Sequence, residues 1–149
     1  MPLEINLSLC LPRDELSVPV VRHICRFSMS EVGVDPSCVD AILLALTEAC
    51  TNVLDHATVD DDYEVTLTVD DARCIIRVKD GGIGFEHVGD DGTIDLTAES
   101  GRGIGMMRAL VDRVDFETKA EDGTIVHLEK ALEFDDTHPV RTRLVNDRS

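Results

Sequence analysis

At 149 residues the chain is sized for one domain, long enough to bury a core but short for two. Its 30 acidic residues against 14 basic ones give a formal charge of −16, which excludes general nucleic-acid binding, because phosphate contact needs Lys and Arg in numbers. Hydrophobic residues make up 43% with no Trp, so Val, Leu, Ile and Ala must fill the core, with disorder expected only at the ends.

Residues 3 to 11 alternate Leu3, Ile5, Leu7, Leu9 and Leu11 with Glu4, Asn6 and Ser8, the pattern of a half-buried strand ending at Pro12. A helix is expected from about Ser17 to Val32, with Val20, Val21, Ile24, Phe27 and Met29 toward the sheet, Pro19 in its first turn and Gly33 closing it. Pro36 to Ala57 is the clearest helix, its apolar stripe formed by Val39, Ile42, Leu43, Leu46, Ala49, Val53 and Leu54. Two strands, 63 to 69 and 73 to 79, follow as a hairpin around Asp70, Asp71 and Ala72. Residues 81 to 100 are rich in Gly and Asp without periodicity and read as a mobile loop. A helix from about Gly103 to Asp112 buries Ile104, Met107, Leu110 and Val111, and strands near 114 to 119 and 124 to 132 flank a Glu121-Asp122-Gly123 turn. The domain therefore spans 1 to 134, and the polar stretch 135 to 149 reads as a flexible tail.

Residues 54 to 100 hold 13 acids against 3 bases, a net −10, which is either a solvated acidic surface or a dock for a basic partner. The five cysteines, Cys10, Cys25, Cys38, Cys50 and Cys74, form no CxxC pair and read as reduced core thiols. With no signal peptide and no run of about 18 apolar residues, a cytoplasmic protein that does not enter a membrane is expected.

Three segments carry chemistry. Glu48, Asn52 and His56 recur every fourth residue and share one helix face. Such a face is either wetted polar surface or a site where an amide oxygen meets Mg²⁺ and a carboxylate acts as base. Asp80 stands at a strand end before Gly81, Gly82 and Gly84, where it either begins a simple turn or accepts a hydrogen bond from an exocyclic amine. Gly101-Arg102-Gly103-Ile104-Gly105 opens a helix, either as a flexible loop or as a phosphate cradle of free N–H groups and one guanidinium.

In this order and at these separations the segments resemble the GHKL superfamily of ATPases and kinases, whose ATP-binding domain is the Bergerat fold. Within it the likeness is to bacterial anti-sigma factor serine/threonine-protein kinases. Ala45 to Ala57 resembles the family's first box, Asp80 to Phe85 and Gly101 to Leu110 its glycine boxes, and the likeness runs from about residue 4 to 132. It implies an α/β (α+β) two-layer sandwich: a mixed, mostly antiparallel sheet, helices on one face and an ATP lid. It implies ATP and Mg²⁺ as cofactors, Glu48 as catalytic base, Asn52 as Mg²⁺ ligand and Asp80 as reader of the adenine amine. Gly82 and Gly84 would border the base, Thr124 would stand beside Asp80, and Gly101, Arg102, Gly103, Ile104 and Gly105 would wrap the phosphates. The implied enzyme is a protein serine kinase that holds a sigma factor and phosphorylates a serine of a STAS-type anti-anti-sigma factor, and is a homodimer. The acidity of residues 86 to 100 is unusual for a lid near triphosphate. A nucleotide-dependent binding module without phosphotransfer is the alternative. The catalytic half of a histidine kinase is disfavoured, because the sequence starts directly at the domain.

Overall fold

The computed structural model describes residues 3–56, 62–80, 98–119 and 123–147. Strands β1 (Ile5–Leu11), β2 (Tyr63–Val69), β3 (Arg73–Asp80), β4 (Arg113–Lys119) and β5 (Gly123–Ala131) form one sheet in the order β1-β2-β3-β5-β4. Every pairing is antiparallel. The period of two decides the faces. Tyr63, Val65, Leu67 and Val69 of β2, with Cys74, Ile76, Val78 and Asp80 of β3, are buried on one side. Asp70 turns the β2–β3 hairpin, its Oδ1 accepting the N–H groups of Ala72 and Arg73, each at 2.7 Å.

Helices α1 (Ser17–Glu31), α2 (Pro36–His56) and α3 (Ala98–Leu110) cover the buried face. Pro36 fits the first helical position, and Asp35 caps the start by accepting from the Ser37 N–H at 3.2 Å. From there α2 runs between α1, α3 and strands β3 and β5. It buries Val39, Ile42, Leu43, Leu46, Ala49, Cys50 and Val53, each large side chain contributing about 1.5–3 kcal/mol. Against the sequence expectation, Pro36–Leu54 is long and apolar enough to cross a membrane by length and composition alone. Here that apolarity is core. Gly33 closes α1 at φ 85°, and the Val34 N–H reaches back to the Met29 carbonyl at 3.1 Å. A side chain at Gly33 would also meet Arg141 Cγ at 2.8 Å.

Three expectations are corrected. The buried face of α1 is Ser17, Val21, Cys25 and Met29, an i, i+4 row, while Val20 and Phe27 face solvent, Phe27 at 67% exposure. Helix α3 begins at Ala98, five residues before the expected Gly103. The stretch read as a flexible tail contains a further helix, α4 (Pro139–Asp147). One side chain explains why α4 stays on the domain. Buried Arg141 donates from Nε to the Val32 carbonyl (2.7 Å) and from Nη1 to Asp71 (2.9 Å), and lies 3.5 Å from the Phe134 ring centroid.

Candidate functional site

Asp80 is the last residue of β3, and alternation turns its carboxylate to the helix-covered face, where the residue is only 3% exposed. Tyr63 is its partner on β2. On the other side the β3–β5 ladder ends at Lys79 opposite Ile125, so Thr124 stands next in register, across from Asp80. Thr124 is 1% exposed, and its Oγ1 has no hydrogen-bond partner among the described residues. A buried hydroxyl left unpaired costs about 1–3 kcal/mol, so this position favours a ligand that can satisfy it.

A residue that sequence reasoning passed over completes this corner. Arg13 Nη2 donates to Asp80 Oδ1, with the two side chains 10% and 4% exposed. Arg13 lies on the β1–α1 connection, which local hydrogen bonds hold tightly. Asp14 Oδ1 accepts from the Leu16 N–H at 2.9 Å, and the Asp14 carbonyl accepts from Ser17 N and Oγ at 2.9 and 2.6 Å. The Ser17 hydroxyl also bonds the Tyr63 hydroxyl, pinning the start of α1 to the strand beside Asp80. Burial pushes the Tyr63 phenol up to about 12 despite the opposing Ser17 hydrogen bond, so it stays protonated at neutral pH. No spacing rule links Arg13 to a carboxylate 67 positions away; only the three-dimensional pairing shows it.

Glu48 and Asn52 lie one turn apart on α2, both half-buried beside the buried Ala49, Cys50 and Val53. They offer two hard oxygen donors. No group of three His, Cys, Asp or Glu side chains able to hold a metal occurs among the described residues. The donor set therefore fits Mg²⁺ only as a cation that takes most of its ligands from phosphate oxygens and water.

Gly82 and Gly84 lie outside the described residues, as does most of the expected lid and the side chain of His56. Gly101, Arg102 and Gly103 fall within the first two turns of α3, and nothing is described of the Arg102 side chain. The free amides at a helix start are the first four, here around residues 98–101. Gly103 and Gly105 thus sit inside the helix, not before it. Ile104 turns its side chain into the core at 8% exposure, whereas a Cβ on exposed Gly105 would meet no atom of the described residues within 4 Å. Packing against the described residues gives no reason for glycine at 105. A separate hollow of about 520 Å³, lined by Arg77, Arg113, Asp115, Glu117, Ile125 and His127, lies on the opposite face of the sheet, away from Asp80.

A two-layer sandwich with a buried carboxylate and hydroxyl at neighbouring strand ends, packed with helices that include the one carrying Glu48 and Asn52, is the architecture of an ATPase domain. The family model of the histidine kinase-like ATPase domain matches residues 11–130, and the chain belongs to that family. It is similar to the serine-protein kinase RsbW of Halalkalibacterium halodurans, at 30% identity covering 88% of this chain and 86% of that protein. RsbW of Bacillus pumilus is 29% identical, with 82% and 83% covered. Among solved structures, the RsbU and RsbW domains of a Mycobacterium tuberculosis protein match with TM-score 0.68 at 22% identity, covering 86% of this chain. The chain spans only 32% of that structure's length. The SiaB-SiaC complex of Pseudomonas aeruginosa matches with TM-score 0.58 at 11% identity, covering 84% and 88%. These two likenesses bear on the fold, and they agree with the GHKL architecture expected from the three segments.

Proposed function

We propose that this chain is an anti-sigma factor serine-protein kinase, binding ATP with Mg²⁺, sequestering a sigma factor and phosphorylating a serine of a STAS-type anti-anti-sigma antagonist. The observation that carries this reading is the pair of buried polar residues that strand register sets side by side, Asp80 and Thr124, the latter's hydroxyl without a partner among the described residues, in a chain whose relatives are named serine-protein kinases. Asp80 accepts the adenine amine and Thr124 completes the base contact. Asn52 supplies an amide oxygen to Mg²⁺, which when bound neutralises charge on the phosphates. Glu48 accepts the hydroxyl proton of the acceptor serine as that oxygen attacks the terminal phosphorus, whose bond to the bridging oxygen breaks and releases ADP. Gly82 and Gly84 border the base, and Gly101, Arg102, Gly103 and Gly105 approach the phosphates, which requires the start of α3 to rearrange around them. The protein works in the cytoplasm as a homodimer.

Transfer of labelled phosphate from ATP to a purified anti-anti-sigma protein is the test. Glu48→Gln is expected to keep ATP binding and lose transfer, and Asn52→Ala to lose Mg²⁺-dependent binding. Wild-type protein that binds ATP but labels no serine would instead make the chain a nucleotide-dependent binding module.

A further inference from the structure

We propose that Arg13 is a built-in competitor for the base-reading carboxylate, so that a nucleotide reaches Asp80 only when the guanidinium leaves. The inference rests on the nucleotide reading of the site and adds a step that regulates it. Asp80 is almost completely covered, and the group holding its Oδ1 is a charged donor. An adenine amine is a neutral donor to the same carboxylate, and its ring needs in-plane room beside that carboxylate. A side chain 4% exposed leaves no such room until a covering group moves. A charge-assisted bond is roughly twice as strong as a neutral one, so exchanging guanidinium for amine is uphill at Asp80. The neighbouring Thr124 hydroxyl, buried and without a partner among the described residues, is what the incoming base gains in return.

The displacement is also coupled to the scaffold. Arg13 sits on the short connection whose Asp14–Ser17–Tyr63 bonds fix the start of α1, so its release loosens the segment that leads into that helix. The cost falls on the base side of the ligand. It is therefore the same for ATP and ADP, unlike any contact made to the terminal phosphate.

The experiment compares wild type, Arg13→Gln and Asp80→Asn by calorimetric titration with ADP and ATP. Stopped-flow binding of a fluorescent ADP analogue accompanies it, because the chain has no Trp to report. Arg13→Gln is expected to tighten ADP and ATP by the same factor, on the order of tenfold, as the binding-competent fraction rises. The wild-type observed rate should level off with ligand concentration, limited by departure of Arg13, while that of Arg13→Gln keeps rising. Arg13→Met, of similar length and without charge, carries the test if the Gln variant fails to fold. Weaker binding by a folded Arg13 variant overturns the competitor and makes Arg13 a support for Asp80. ADP binding that Asp80→Asn abolishes but Arg13→Gln leaves unchanged overturns the competitor alone. No binding by wild type overturns the nucleotide reading and the competitor with it.

Discussion

Two arginine–aspartate pairs stand at opposite ends of β3, and their differences separate scaffold from site. Before the strand, Arg141 joins Asp71 while also bonding the Val32 carbonyl and covering the Phe134 ring, so it ties α4, the end of α1 and the β2–β3 turn into one unit. At the far end Arg13 meets Asp80 beside a buried hydroxyl with no described partner. Both arginine side chains are 10% exposed. Burial of an ion pair does not reveal its purpose; the polar groups around it do, because one arginine knits backbone segments and the other covers a carboxylate next to an unmet hydrogen bond.

The comparison breaks most readily at the scaffold end. Arg141→Ala removes the guanidinium from Asp71, which keeps the Leu3 N–H, and releases α4 from the Val32 carbonyl, and is expected to lower unfolding stability in urea by about 1.5–3 kcal/mol. Nucleotide affinity of the folded protein should stay within about twofold, since the clasp lies a strand's length from Asp80. Full stability in Arg141→Ala would contradict the clasp.

A smaller effect belongs to the thiols packed between α1, α2 and β3. Burial pushes Cys25 and Cys50 up to about 12 from an ordinary 9.0, and Cys74 higher still. Below pH 9 the folded and unfolded chains both hold these protons, so the stability is complete. As pH rises from 9 toward 12 the unfolded chain releases protons that the folded one keeps, and stability falls by up to about 1.4 kcal/mol per unit for each thiol. Urea midpoints at pH 8 and pH 10.5 check this; equal midpoints would count against buried, protonated thiols. The effect should be the same in Arg13→Gln, because Arg13 is not among the causes that raise these thiols.

The smallest expected change is at Gly105. Its exposed position has room for a methyl group, so Gly105→Ala should stabilise α3 by about 0.5–1 kcal/mol. A thermal melt measures it. If ATP affinity falls in the same variant, glycine is kept there for close approach of a ligand; if affinity is untouched, α3 contributes to the site without Gly105.

How legible all this was in the sequence follows the same division. Alternation in 63–69 and 73–79 is strict because those strands have one buried face, and α2 announces itself through Pro36 and a continuous apolar stripe. The buried face of α1 was misread because Ser17 and Cys25 are poor hydrophobic markers, whereas Val20 and Phe27 are strong ones that here point outward. Helix α4 was missed because a single arginine anchors it, not a periodic apolar face. At the site, Glu48, Asn52, Asp80 and Thr124 were named from motif and resemblance, and strand register then brings Asp80 and Thr124 together. Arg13 had no local signal, since its meaning depends on a contact made only after β1, β2 and β3 have paired.

The central claim is that the Asp80 end of β3 holds nucleotide and the Asp71 end holds the fold. Calorimetric titration of ATP with Mg²⁺ into wild type, Asp80→Asn and Arg141→Ala tests it most directly. The account predicts affinity about 10- to 100-fold weaker in Asp80→Asn, the loss of a hydrogen bond to a charged acceptor, and unchanged affinity in folded Arg141→Ala. Equal affinity in all three proteins would contradict it.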